Sequence, residues 1–470
     1  MSNVYETYID VDEKWVKQIP AHWQMKRLKA IFAMRKEKNN PVVTDNILSL
    51  TAKQGVVPYA EKEGTGGNKP KSDMTQYNIA HENDLLVNCM NVVSGAAGVS
   101  RYYGAISPVY YALYPHNDEN VWYYHHIFRL MPFQRSLVGL GKGILMHESD
   151  EGTLTSVRMR ISMDYLGNVL LPVPPRDEQD KIVNYLDWKV SDINKLISTK
   201  RKELKALYSF KKTLIKDIVT CGVSKNAVKK SSEIDWIGEI ASNYELIPLK
   251  RLLKEKLQYG ANESGVPYDE HLPRYIRITD ITLDGELKND GRLSLTEEAA
   301  NGYILKDGDI LLARSGATVG KSFLYLKDYG KAGFAGYLIR ARFDESKVLP
   351  KFVYYYTLST SYEEWKNQIF IQATIQNISA EKYANLPVPV PPLSEQEEIV
   401  KYLDVKCKDI DELIGVLKKQ ISVLQDLKYR FISDVVTGKI DVRKEIIPEY
   451  DLVNDEPYEE EYDDAEDEEV

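Results

Sequence analysis

The sequence predicts an α/β (α+β) protein of two mixed α/β domains, each followed by one long helix. Three observations carry that expectation. First, the 47 residues from Pro174, PPRDEQDKIVNYLDWKVSDINKLISTKRKELKALYSFKKTLIKDIVT, align without a gap with those from Pro391, PPLSEQEEIVKYLDVKCKDIDELIGVLKKQISVLQDLKYRFISDVVT. The offset is 217 residues and about 21 of the 47 positions are identical, so the chain is internally duplicated. Second, the segments before each copy repeat more faintly. Trp15 opens WVKQIPAHWQMKRLK as Trp236 opens WIGEIASNYELIPLK, Asn46–Thr51 resembles Arg274–Thr279, and Glu82–Val87 resembles Asp307–Leu312. Third, those segments are rich in short β-type runs broken by glycine, such as ILLARSG and AGYLIRARF.

Each duplicated segment reads as a long helix on its own physics. The double proline ends an extended stretch, Asp177 or Ser394 can cap a helix begun there, and Glu178 or Glu395 in the first turn suits the helix dipole. Apolar residues then recur at 3-4 spacing: Ile182, Leu186, Val190, Ile193, Ile197, Leu204, Leu207, Leu214 and Ile218 in the first copy. The second shows Ile399, Leu403, Cys407, Ile410, Ile414, Leu417, Ile421, Leu424, Phe431 and Val435. Both are heptad seams, interrupted by Lys211 and Lys428 and stopped at Gly222 and Gly438. Burying both seams is simplest if the two helices pack antiparallel as a coiled coil, with pseudo-twofold symmetry between the domains.

Composition narrows the class. At 43% hydrophobic and 28% charged the chain is ordinary globular material, and no run approaches the roughly 18 apolar residues of a membrane helix. The start, Met1-Ser-Asn-Val-Tyr, has no secretory pattern, and the scattered cysteines Cys89, Cys221 and Cys407 suit a reducing cytoplasm. The net charge is −9, but Glu445–Val470 holds 14 acidic residues and no basic one. Residues 1–444 therefore carry −9 + 14 = +5, a mildly basic body with an acidic, disordered tail.

The chain resembles the specificity subunits of type I restriction–modification systems. The resemblance lies in LPVPPRDEQDKIVNYLD and LPVPVPPLSEQEEIVKYLD, each closing a variable domain, in the W-x-x-x-I openings, in ATIQNIS (Ala373–Ser379) and in the SDVVTGKIDVR ending. It covers nearly the whole chain except the tail. It implies a first target-recognition domain at 1–170, a spacer helix at 171–222, a linker at 223–231, a second recognition domain at 232–387, a second spacer helix at 388–440 and the tail at 441–470. It further implies a cytoplasmic, non-catalytic subunit that binds a bipartite, asymmetric site in double-stranded DNA, with the helices as a ruler. Two modification (adenine methyltransferase) subunits and two restriction subunits are the implied partners. The chain itself is expected to hold no cofactor or metal, S-adenosylmethionine and ATP with magnesium belonging to the partners.

DNA recognition needs phosphate contacts for positioning and side chains that present donors and acceptors to base edges. In the second domain the candidates are Arg314, Ser315 and Lys321 in one loop, and Gln372, Thr374, Gln376 and Asn377 in an amide-rich stretch. In the first they are Lys53, Gln54, Lys69, Lys71, Asn91, Ser94, Arg101, Arg158 and Arg160.

Other chemistries fit the residues less well. Ser315-Gly-Ala-Thr-Val-Gly-Lys-Ser322 is close to a phosphate-binding loop but has Ser315 where the motif needs glycine, and the residues after it read as strand rather than helix. Glu286-Leu-Lys288 lies too close to Asp280 for a metal-dependent nuclease, and His125, His126, His147 and His271 lack partners at metal-ligand spacing. Two alternatives stay open on the sequence alone: the specificity subunit of a related, non-type-I modification system, and a nucleotide-binding DNA enzyme built on the Ser315–Ser322 loop.

Overall fold

The computed structural model describes residues 4–51, 54–62, 70–148, 154–224, 226–282, 285–316, 318–371 and 377–454. They divide into two compact units. One takes the chain up to Thr199 together with the residues from Gln420 onward; the other is Lys200–Lys419. Each unit thus owns one mixed α/β domain and half of each long helix.

The two units share one plan. In the first, a four-stranded sheet runs in the order Gly55–Pro58, Ile47–Thr51, Gly104–Ile106, Asn78–Ala80, with the middle pair parallel. A second, antiparallel sheet runs Phe32–Met34, Tyr110–Pro115, Leu85–Asn88, Ala97–Val99. In the second unit the counterparts run Val266–Pro267, Leu293–Ser294, Arg274–Ile276, Ala332–Phe334, the last pair parallel, and Gln258–Tyr259, Leu338–Ala341, Ile310–Ala313, Ser322–Leu324. The repeats read from the sequence, Glu82–Val87 with Asp307–Leu312, fall on matching turns and strands. Their shared aspartates, Asp84 and Asp309, are both 1% exposed and each accepts two bonds from an arginine, Arg35 or Arg342, at 2.7–2.8 Å. A buried carboxylate needs such a partner, so these two arginines are committed to the fold.

The long helices span Arg176–Cys221 and Leu393–Val436. Each starts one residue before the expected caps: the carbonyl of Pro175 accepts from Glu178 and Gln179, and that of Pro392 from Glu395 and Gln396. Asp177 and Ser394 therefore sit inside the first turn, because the second proline, lacking an N–H but fixed in φ, is the better entry. The seam is buried as the spacing requires, with Ile182, Leu186, Ile399 and Leu403 at 0% exposure. Within each unit the helix halves run antiparallel, and the seam lysines fix the register. In the second unit Lys211 Nζ bonds Asp411 at 2.5 Å, and in the first Lys428 Nζ bonds Asn194 at 3.2 Å. Asp411 and Asn194 are themselves 217 residues apart, so one polar pair has been duplicated. A polar residue in an apolar seam costs stability but penalises slipped registers. Gly222 and Gly438, at φ +78° and +76°, end the helices as expected.

The Glu-Gln of the duplicated motif ties each helix to its domain. Glu178 accepts from Tyr5 Oη at 2.5 Å and Trp23 Nε1 at 3.1 Å, and lies 2.7 Å from His22 Nε2. Glu395 accepts from Tyr244 Oη at 2.7 Å and Asn243 Nδ2 at 3.0 Å. Gln179 accepts from the backbone N–H of Asn120, which caps helix Val121–Phe128, and Gln396 accepts from that of Leu349, which caps helix Pro350–Thr357.

Two expected boundaries differ. The 223–231 linker already contains a strand, Lys229–Ser231, paired with Glu239–Ala241. The expected tail from residue 441 begins as packed chain: Val442 is fully buried in the first unit's core, and Val453 bonds Ser191 and Asn194 on the long helix. Apolar residues at Val442 and Ile447 anchor it before the acidic run begins.

Candidate nucleic-acid interface

In the second unit the strand Ile310–Ala313 leads into Arg314 and a glycine-bearing turn. Arg314 N–H donates to the Tyr337 carbonyl at 3.0 Å, and its own carbonyl accepts from Ile378 N–H at 2.9 Å. Ser315 bridges Asn377. Two arms of backbone, a turn arm at Arg314 and a return arm at Asn377, are so clamped side by side. Gly320, at φ +84°, closes the turn where a side chain would be strained.

The side chains on this bracket are not spent on the fold. The Arg314 guanidinium lies over the Tyr259 ring, 4.9 Å from its centroid, and no acidic side chain pairs with it among the described residues. Its Nε and the Asn377 Oδ1 are both buried without a hydrogen-bond partner among the described residues. Tyr259 is 41% exposed and Tyr337 64%, so the bracket opens on an aromatic surface. Nearby cations are used up differently. Arg340 and Arg342 hold Glu255, whose pKa is lowered by the Arg342 hydrogen bond, and Lys321 Nζ donates to the Ile281 carbonyl at 3.2 Å. The strand Ser322–Leu324 comes after the turn where a phosphate-binding loop would start a helix, so the nucleotide-binding alternative lacks its anion site.

The first unit builds the same bracket. Cys89 N–H donates to the Val109 carbonyl at 3.0 Å and the Cys89 carbonyl accepts from Ile161 N–H at 2.9 Å. Gly95, at φ +79°, takes the place of Gly320. Here the turn arm carries buried Cys89, and the return arm carries exposed Arg160, hydrogen-bonded to the hydroxyl of Tyr111. Tyr111 Oη in turn donates to the Ile161 carbonyl at 3.1 Å, and burial pushes its pKa up.

The sequence candidates divide accordingly. Arg314, Ser315 and Asn377 are brought together, with Lys321 bracing the turn. Asn91, exposed, and Ser94, half-buried, lie on the first unit's turn. Arg158 is on the strand Leu154–Arg160, two residues before Arg160. Arg101 is elsewhere: it lies over Trp122 at 5.4 Å and beside Asp187 of the long helix. Gln54 is in the hairpin turn after Thr51, and exposed Lys71 donates its N–H to Tyr77 Oη. Lys53, Lys69, Gln372, Thr374 and Gln376 lie outside the described residues. Sequence reasoning missed Tyr259, Tyr337 and the role of position 89. Aligning Asp84–Asn88 with Asp309–Ala313 at an offset of 225 would have paired Cys89 with Arg314. Among the described residues no group of three His, Cys, Asp or Glu side chains is placed to hold a metal ion, and no helix is long and apolar enough to cross a membrane.

Residues 274–423 match the family model described as the type I restriction modification DNA specificity domain. Over 282 residues the chain is 28% identical to the type I restriction enzyme MjaVIII specificity subunit of Methanocaldococcus jannaschii, covering 59% of this chain and 63% of that one. The putative MjaX specificity subunit of the same organism is 27% identical over 284 residues, covering 60% and 62%. The alignments thus span a little under two thirds of the length of these relatives. A solved chain from work on complex assembly and conformational transition of the type I R-M system shares the fold at TM-score 0.62 and 14% identity, over 90% of this chain and 99% of that one. The fold is that of the solved chain, and residues 274–423 resemble the DNA specificity domain of the family model.

Proposed function

We propose that this chain reads a bipartite site in double-stranded DNA, one half through each unit, as the recognition subunit of a type I restriction–modification complex. The observation that carries the reading is the bracket built twice on one backbone frame. Each presents a guanidinium that no acidic side chain neutralises among the described residues: Arg314 in one unit, Arg160 in the other. Because the side chains on the two frames differ, the half-sites differ and the whole site is asymmetric. Lys71 and Asn91, exposed on the first unit, and the basic balance of residues 1–444 supply positioning contacts to phosphate.

In this reading the chain does no chemistry. Adenine methylation with S-adenosylmethionine belongs to two modification subunits, and ATP-driven cleavage to two restriction subunits. The chain binds no cofactor of its own and acts in the cytoplasm. Replacing residues 232–387 with the same domain of another such subunit tests it. The methylation motif in cells is expected to change in one half only. A change in both halves, or in neither, contradicts it.

A further inference from the structure

The two brackets carry their guanidinium on opposite arms. In the second unit the cation is on the turn arm, Arg314, and an amide, Asn377, is on the return arm. In the first unit the turn arm holds buried Cys89 and the cation is on the return arm, Arg160. Shared backbone bonds make these positions equivalent: Arg314 and Cys89 each donate to the neighbouring strand at 3.0 Å and accept from the return arm at 2.9 Å.

We propose that Arg314 and Arg160 are specificity-determining residues for one guanine in each half-site, and that Asn377 completes the reading of a G·C pair in the second unit only. This rests on the reading of the chain as a DNA-recognition subunit. The unmet hydrogen-bonding groups choose a base pair over a phosphate. Among the described residues Arg314 Nε is a buried donor without an acceptor, and Asn377 Oδ1 a buried acceptor without a donor. Leaving such groups unpaired is costly, so the bound ligand must offer both complements. A phosphate offers only acceptors and leaves Asn377 unmatched. In the major groove a G·C pair offers both: guanine O6 and N7 accept from the guanidinium, and the cytosine N4 amine donates to the amide oxygen. Tyr259 beneath Arg314 fixes the plane of the fork, which a bidentate contact requires and a point-charge contact does not. In the first unit Arg160 is steadied by hydrogen bonds to the Tyr111 hydroxyl and the Cys89 thiol and has no amide opposite, so its guanine is read by the guanidinium alone.

The test is methylation-motif sequencing in cells carrying the full chain and its methyltransferase, for wild type, Arg314→Gln, Asn377→Leu, Asn377→Asp and Arg160→Gln. Arg314→Gln is expected to lose the guanine at one position of one half-site, with discrimination falling on the order of tenfold to a hundredfold, and to leave the other half unchanged. Arg160→Gln does the same in the other half. Asn377→Leu relaxes the Arg314 position, and Asn377→Asp, which still accepts from cytosine N4, keeps it. An intact motif with methylation weakened evenly across sites identifies a phosphate contact and overturns the proposal, as does no change. If Arg314→Gln abolishes methylation through misfolding, the Asn377 pair decides: equal motifs in the Leu and Asp variants overturn it. A wild-type chain that directs no sequence-specific methylation defeats the underlying reading instead.

Discussion

Replacing Gln396 with leucine is expected to destabilise the second unit selectively. Gln396 is fully buried; its Oε1 accepts from Leu349 N–H at 2.8 Å, and its Nε2 donates to the carbonyls of Pro391 at 2.8 Å and Lys347 at 3.3 Å. Leucine keeps most of the volume, so the cavity contribution stays small. What remains is an unpaired Leu349 N–H at the start of helix Pro350–Thr357 and an unpaired Pro391 carbonyl. At about 1–3 kcal/mol for each orphaned buried group, the loss is about 2–6 kcal/mol. Against a typical domain stability of about 5–15 kcal/mol that is plainly measurable. Urea unfolding gives the size, and hydrogen exchange gives the place: amides of Phe352–Thr357 lose protection while those of Tyr123–Phe128 keep it. Gln179→Leu reverses the pattern. A loss under about 0.5 kcal/mol, or equal loss of protection in both helices, refutes the tie described for this glutamine.

Glu178→Ala strips the acceptor from Tyr5 and Trp23, both at most 3% exposed, and is expected to cost about 2–5 kcal/mol in the first unit. Its counterpart Glu395→Ala orphans only one buried aromatic hydroxyl, that of Tyr244, and costs less by thermal melting; an equal or reversed order contradicts the assignment. Acid sensitivity arises in part from His126, whose burial lowers its pKa to about 4 and whose Nε2 is buried without a partner among the described residues. A base with a depressed folded pKa is protonated first in the unfolded chain, so stability falls as pH drops from about 6.5 toward about 4, by on the order of 3 kcal/mol. Burial lowers the pKa of neighbouring His125 in the same sense, so His126→Gln is expected to reduce the slope of melting temperature against pH and replacing both with Gln to flatten it; an unchanged slope in both variants counts against it.

The long helices were legible because their signal is local and repeated. Heptad spacing, Gly222 and Gly438 and a 217-residue duplication each report the same elements. Their entry was misjudged at Asp177 and Ser394 because a capping side chain and a second proline compete for one position, and the proline took it. The packed start of the expected tail was missed since composition averages over Val442, a single apolar residue that a core recruits. The site was legible only as residue types. Arg314, Asn377 and Arg160 stand out in the sequence only as polar and basic, but the pairing of the Arg314 arm with the Asn377 arm, and of the Cys89 arm with the Arg160 arm, spans 60 or more residues, which periodicity does not encode. Arg101 has the same chemistry and goes to Trp122 instead, because an exposed arginine settles on whichever aromatic face the fold places beside it.

The most direct measurement is genome-wide methylation in cells that carry this chain with its methyltransferase, compared with cells lacking this chain alone. A two-part adenine-methylation motif, with different sequences on either side of an unread gap, is expected in the first and absent in the second. Methylation that persists without the chain, or a lost motif that is short and continuous, contradicts a recognition subunit with two readers.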